Sequence, residues 1–261
     1  MTVVEGQGAR PYVHLARVYD RWTASNDHGR WAEYLRAAAG RLGVTGGRAV
    51  DVCCGTGRMS ALLDEAGFSV TGIDSSPEML DEARRAVPAV VLHQGDVTDP
   101  LPVLDGSQDL AVCSFDSANY LVSEGALAAM FSVVARSLRP GGVFVVDLNT
   151  GYKLVEVFGS SHYGDDLGDF AYVWRNRTEP DRRRTEFLIS LFVESTSGYS
   201  RFTEHHVQRW FTWDEVRSAV DAAGLRVVEV TDDYGRAAPS DTTLRETWVL
   251  QRPEIAVASL G

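Results

Sequence analysis

The sequence predicts an α/β fold: a seven-stranded, mostly parallel sheet with helices on both faces, plus an inserted three-stranded antiparallel sheet. Three observations predict it. The stretch Ala49-Val-Asp51-Val-Cys53-Cys54-Gly55-Thr56-Gly57 runs apolar residues into an acid and then into two glycines spaced by one. Strand-like and helix-like segments then alternate as far as Asp147, the pattern of a parallel sheet covered on both faces. Beyond that point the alternation breaks into consecutive strand-like runs separated by turn residues, which reads as a meander.

In order, Met1–Arg10 is expected to be loose, and Tyr12–Thr23 and His28–Leu42 read as helices. The first of these carries Tyr12, Leu15, Ala16 and Tyr19 at helical spacing. Gly46-Gly47 turns into a strand over Arg48–Cys53. A helix over Arg58–Ala66 stops at Gly67, a natural residue after a helix end. A second strand ends at Asp74. Ser75 or Ser76 caps the next helix, with Pro77 in its first turn, running to about Ala86. Ala89–His93 and Leu110–Ser114 read as strands, Glu124–Leu138 as a helix and Val143–Asp147 as the fifth strand. The meander comprises Phe170–Arg177, Thr185–Glu194 and Tyr199–Phe211. A helix over Trp213–Ala223 and strands over Leu225–Thr231 and Leu244–Leu250 complete the sheet, leaving Arg252–Gly261 as a tail. The implied organisation is an N-terminal helical lid over 1–45, a core over 46–150, the inserted sheet over 151–211 and the rest of the core over 212–252.

The chain has 261 residues, 44% hydrophobic and 23% charged, ordinary for a globular protein with a sizeable core. A net charge of −11 repels a nucleic-acid backbone. The basic run Arg182-Arg183-Arg184 suits a hairpin turn. No membrane span or signal-peptide core is evident. Cys53, Cys54 and Cys113 make neither a disulfide framework nor a zinc site. The expected compartment is the cytoplasm, with no metal, no nucleic acid and no membrane among the partners.

The chemistry concentrates at predicted strand ends. Gly55 and Gly57 let the backbone adopt unusual torsions and approach a ligand, and the following helix offers free N–H groups. Asp74 lies about 20 residues further on, the spacing of an acid that grips ribose hydroxyls. Asp51, Asp74, Asp96 and the corner Ser114-Phe115-Asp116 all fall at strand C-termini, where open α/β sheets bind ligands. Asp96 suits either a ligand contact or an Asx-turn. Met79 suits either ligand packing or helix core. A third glycine at position 60, needed for a dinucleotide fingerprint, is replaced by Ser60.

The run Asp51-x-Cys-Cys-Gly-Thr-Gly resembles motif I of class I S-adenosylmethionine (SAM) methyltransferases, a Rossmann-like family. The family usually has glycine where this chain has Cys53, which bears on how closely the methionine end of SAM sits. The resemblance implies SAM as cofactor and S-adenosylhomocysteine as product. It implies Asp74, beside Ser75, on the ribose, and Asp96 and the Val97 N–H on the adenine, with Met79 padding it. Backbone carbonyls at Ser114 and Phe115 would take the SAM amine. The turn Asp116-Ser-Ala-Asn119-Tyr120 is similar to the D-S-x-N-Y turn of some small methyltransferases of this class, and not to the N-P-P-Y motif of nucleic-acid amino methyltransferases. Tyr12, Tyr19 and Trp31 could form a lid whose aromatic faces attract the sulfonium, or belong to an amphipathic helix packed on the domain; the Tyr19-Asp20 context recurs in the resembling lids.

The meander, with Glu204-His-His-Val-Gln-Arg-Trp-Phe211, resembles that of nucleotide-aminosugar and natural-product N-methyltransferases. It would cover the substrate pocket or build a homodimer, using aromatics such as Trp174. His162 and Tyr163, in the long loop before the meander, could reach the substrate or be plain loop residues. His205 and His206 are the candidate bases. Strand alternation puts Glu204, His206, Gln208 and Trp210 on one face and His205, Val207 and Arg209 on the other; the polar face favours His206, while either histidine also suits a plain surface strand. The expected activity is methyl transfer to nitrogen or oxygen of a small metabolite. C-methylation and SAM binding without transfer are the alternatives.

Overall fold

The computed structural model describes residues 8–196 and 198–254. Residues 1–7 of the expected loose start and 255–261 of the expected tail lie outside them. The next residues of that start are not loose: the Ala9 N–H donates to the Thr203 carbonyl at 2.8 Å, and the Ala9 carbonyl accepts from the His205 N–H at 3.1 Å.

Two helices come first, α1 (Ala16–Trp22) and α2 (His28–Arg41). The helix expected from Tyr12 starts four residues late. Tyr12 has a left-handed φ of 67°, and the N–H groups of Tyr12, His14 and Leu15 turn instead to the Glu204 carboxylate. The core follows as β1 (Gly47–Val52), α3 (Arg58–Glu65), β2 (Phe68–Asp74), α4 (Pro77–Ala86), β3 (Val91–Gln94), β4 (Gln108–Cys113), α5 (Ala126–Ser137) and β5 (Leu138–Asn149). Ser76, not Ser75, caps α4: its hydroxyl accepts from the Met79 N–H. The fifth strand is longer than expected at both ends: Leu138 pairs with Gln108 of β4, and Asn149 with Arg245 of the last strand of the chain.

A π-helical turn over Lys153–Phe158 leads into four strands, not three: β6 (His162–Asp166), β7 (Phe170–Glu179), β8 (Arg184–Ser195) and β9 (Gly198–Arg209). The segment expected as a loop around His162 and Tyr163 is β6, paired antiparallel with β7 through Tyr163 opposite Trp174. Its composition, Gly164 and two acids, hides it from a propensity reading. Then come α6 (Trp213–Ala222), β10 (Arg226–Asp232) and β11 (Arg245–Gln251). Thr212 and Glu215 form a reciprocal capping box at the start of α6.

The large sheet runs in the order β10-β11-β5-β4-β1-β2-β3, with β11 antiparallel to both neighbours and the other contacts parallel. Alternation sorts the strands' side chains to two faces. Val112 and Val145 pack with Trp31, Leu35 and Leu63 of α2 and α3. Val50, Phe144 and Val146 pack with Met130 and Phe131 of α5 and Val216 and Val220 of α6. A third apolar cluster joins Leu15 and Val18 to Phe170, Phe187, Ile189 and Leu191, so the N-terminal helix is seated on the smaller sheet. Among the described residues no helix is long and apolar enough to cross a membrane.

Gly57 opens α3 at φ 82°, and an added Cβ would lie 2.7 Å from a Val87 methyl. A side chain there is disfavoured by the left-handed backbone at about 1–2 kcal/mol, before any displacement of Val87. Gly57→Ala is therefore expected to lower stability by about 1–3 kcal/mol in denaturant melts. An unchanged midpoint would show that the turn relaxes freely.

Candidate functional site

Strands β1, β2 and β4 end at a cavity of about 250 Å³, and a second cavity of about 280 Å³ adjoins it. Tyr12, Tyr19, Phe115 and Tyr120 line both and form the wall between them.

The first cavity is lined by the glycine turn after β1, by Asp74 and Ser75 after β2, by Met79 of α4 and by Ser114 after β4. Cys53, Gly55 and Gly57 all have left-handed φ, at 62°, 56° and 82°. Cys53 thus holds a torsion that glycine adopts more easily. The Asp74 carboxylate is fixed from behind: Gly55 N–H donates to Oδ2 and Ser76 N–H to Oδ1, both at 2.8 Å. Burial raises its pKa despite these bonds. Each oxygen keeps further accepting capacity toward the cavity. Helix α1 is fastened to the turn by Asp20, which accepts from the Thr56 hydroxyl at 2.6 Å and pairs with Arg58 at 3.3 Å.

Several expected residues sit elsewhere. Asp51 is 1% exposed and does not line the cavity; it accepts from the Ser60 hydroxyl at 2.6 Å, behind the turn. Asp96 curls back to accept from Thr98 N–H and Oγ at 2.8 and 2.7 Å, the Asx-turn alternative, and Val97 packs into the core. Trp31 is not in the lid wall. It is buried against Tyr234, stacked at 5.5 Å between ring centres, with the Arg245 guanidinium 4.9 Å from its ring. Met79 is both helix core and cavity lining. His28, not anticipated from sequence, lines the first cavity edge-on to Phe115.

At the second cavity, the corner after β4 carries left-handed Phe115 and Asp116, at φ 62° and 53°. Their N–H groups both donate to the Asp147 carboxylate, which also accepts from the Tyr234 hydroxyl. Asp116 is gripped by Gln208 Nε2 at 2.6 Å and by Arg245 at 3.0 Å. Asn119 is fully buried and faces the protein, joining the turn to Asn149 and Arg209 backbones; it lines neither cavity. Lys153 donates to Asn149 Oδ1 at 2.8 Å, and burial pushes its amine below the ordinary lysine range. Trp174 lines this cavity. Tyr163 does not; its hydroxyl donates to the Val157 carbonyl.

The inner face of β9 completes the wall. Glu204, His206 and Gln208 are buried at 0%, 1% and 4% exposure, an unusual polar face turned inward. His206 Nδ1 lies 2.9 Å from the Tyr120 hydroxyl, and Nε2 lies 2.9 Å from Glu204 Oε2. Tyr12 in turn donates to Tyr120 at 2.9 Å. Burial alone would raise the Glu204 pKa, but His206 and the N–H groups of His14 and Leu15 outweigh it and hold the carboxyl low. His205 points the other way, half-exposed, 3.7 Å from Glu186.

Residues 49–142 match the family described as a methyltransferase domain. The chain is 32% identical to the methyltransferase YqeM of Bacillus subtilis over 95% of its length and 99% of that protein's. It is 30% identical to the dTDP-3-amino-3,4,6-trideoxy-α-D-glucopyranose N,N-dimethyltransferase of Streptomyces venezuelae, over 73% of this chain and 78% of that one. A solved S-adenosylmethionine-dependent methyltransferase from Clostridium acetobutylicum superposes with a TM-score of 0.82 at 26% identity, covering 92% of this chain and 98% of the other. The chain belongs to the class I S-adenosylmethionine-dependent methyltransferases. It is an enzyme of that class, with SAM as its methyl donor.

Burial pushes the Asp51 carboxyl up to about 7 from its ordinary 3.8. Between those values the unfolded chain gives up the proton while the folded one keeps it. The contribution is therefore full below about pH 4 and is lost as pH rises through 7. Asp51→Asn keeps an acceptor for Ser60 and abolishes this slope. In the free protein it is expected to gain about 2–4 kcal/mol relative to the parent at pH 8 and nothing at pH 4. Thermal melts across that range check it; a pH-independent difference would contradict it.

Proposed function

We propose that the chain methylates an amino nitrogen of a small polar metabolite of the aminosugar kind. The observation that carries this is the shared wall. A cavity at the strand ends meets a second cavity across Tyr12, Tyr19, Phe115 and Tyr120, and the second holds a buried histidine paired with a carboxylate.

The first cavity suits SAM. Asp74 would accept the ribose hydroxyls, and the left-handed Gly55 presents backbone without a side chain. Met79 would pack on the adenine, and the carbonyls after β4 would take the amine. Bound SAM supplies an electrophilic methyl carbon on a sulfonium. Tyr12, Tyr19 and Phe115 would border that carbon and exclude water, and the inserted sheet would cover the acceptor. Catalysis by such a site is chiefly alignment. An amine is already a nucleophile, yet it arrives as an ammonium or becomes one on methylation, so a proton must leave. His206, lining the second cavity, is the group suited to receive it. His205, turned outward beside Glu186, is not. The aminosugar dimethyltransferase among the relatives supports nitrogen as the acceptor atom.

Asp74→Ala is expected to weaken SAM binding by about 2–3 kcal/mol, some 30- to 150-fold, in calorimetric titration. Unchanged affinity would remove Asp74 from the site. The function itself is checked with methyl-labelled SAM and dTDP-3-amino-3,6-dideoxy-α-D-glucopyranose, the amine named for a Streptomyces fradiae relative, beside its 3-hydroxy counterpart. Label on the amine alone is the expected result; label on the hydroxyl compound alone would overturn nitrogen as acceptor.

A further inference from the structure

We infer that Glu204 is a positioning residue that couples docking of the N-terminal segment 9–15 to the proton-accepting state of His206. The inference deepens the methyl-transfer reading above and rests on it for its catalytic half.

The geometry is a directed chain. The Tyr12 hydroxyl donates to Tyr120, the Tyr120 hydroxyl is placed to donate to His206 Nδ1, and His206 Nε2–H then donates to Glu204 Oε2, each over 2.9 Å. Glu204 is fully buried, where an isolated carboxylate is costly. It is tolerated because four donors surround it. Tyr12 N–H serves Oε2, and His14 and Leu15 N–H serve Oε1. His206 is the fourth. Three of the four donors therefore come from the segment that walls both cavities, just ahead of α1.

If that segment lifts, Glu204 loses its three backbone donors and the chain loses its first hydroxyl. The relay exists only when the lid is down. With the lid down, the acceptor nitrogen attacks the methyl carbon: the C–N bond forms and the C–S bond breaks, its electron pair staying on sulfur. The surplus N–H proton passes to Tyr12 Oη, Tyr12 hands its own to Tyr120, and Tyr120 hands its own to His206 Nδ1. The resulting imidazolium is held by the Glu204 carboxylate. The other groups facing His206 do not substitute for that carboxylate. Phe187 of β8 is apolar, and Asp116 is already engaged by Gln208 and Arg245. Arg245, which shares the cavity, carries positive charge and opposes an imidazolium, and Lys153 is a donor engaged with Asn149, not an acceptor.

The test compares E204Q, Y120F and Arg10→Ala with the parent. Two readouts need no acceptor: amide hydrogen exchange at Tyr12, His14 and Leu15, and SAM affinity. A third is the pH profile of kcat with the aminosugar named above. E204Q is expected to lower protection of the three amides at least 10-fold and to move the ascending limb of kcat to lower pH, with kcat down at least 10-fold. Y120F is expected to cut kcat similarly while leaving amide protection within 2-fold. Arg10→Ala, which removes an ion pair to Glu78 at the far end of the segment, is expected to weaken SAM binding without moving the limb.

Retained protection in E204Q, or an unmoved limb with protection lost, would overturn the coupling; the second result is what a merely structural role gives. Unchanged kcat in Y120F would overturn the relay even if E204Q does not fold. Should the aminosugar accept no methyl in the parent, the acceptor assignment fails, and the exchange measurement alone decides whether Glu204 holds the lid.

Discussion

The corner after β4 depends on one buried carboxylate. Phe115 and Asp116 both adopt left-handed torsions that side chains disfavour, so something must hold them there. Asp147, at the facing end of β5, takes both their N–H groups and is steadied by Tyr234 and by Arg245 at 3.8 Å. Burial raises the Asp147 pKa, with Arg245 opposing the rise. With that corner fixed, Phe115 can stand between the two cavities, and Asp116 can meet both Gln208 and Arg245. The wall, the second cavity and the seat of β9 against the large sheet all follow from it. Loosening Asp147 would disturb parts that are distant in sequence and adjacent only here.

The parts of this arrangement that repeat a local rule were legible in the sequence. The glycine turn, the acid at the end of β2 and the β-α alternation each announce themselves within a few residues. The four-stranded insert was read one strand short because β6 carries Gly164 and two acids where β-formers are expected. Trp31 on an amphipathic helix suits a core and a ligand equally well by sequence; its stacking partner, Tyr234, lies far along the chain. Asp96 shows the same ambiguity, and its Oδ1 is taken by Thr98 two residues on. Arg245 and Lys153 gave no signal, because what makes them part of the site is burial among acids and aromatics brought by other elements. Glu204 did give one. A strand that alternates polar residues on the face it should bury breaks the usual pattern, and such breaks mark functional sites more often than errors of folding.

Relatives that match nearly the whole chain share its fold and methyl transfer, while the second cavity carries the individuality. Its walls come from the N-terminal segment and α1, the corner after β4, the end of β5, the π-helical turn, β7, β8, β9 and β11. A cavity assembled from so many elements can change its lining by single substitutions without disturbing the cavity at the glycine turn. The glycine turn and the ends of β1 and β2 are, by contrast, tied into the parallel sheet.

The contact between Ala9 and β9 has a consequence for how the smaller sheet meets solvent. An antiparallel sheet outside a barrel has two raw edges, and each is a template on which another chain's strand can add. Here the N-terminal stretch lies along β9 as a brief parallel bridge at Glu204, closing part of one margin with the chain's own backbone. The other margin is β6, only five residues long, ending in the exposed acids Asp165 and Asp166. Brevity and charge both discourage strand addition there. The same few residues that bring Tyr12 to the cavities thus also shield the sheet from unwanted self-pairing, so a truncation of the N-terminus would expose a sticky border as well as open the site.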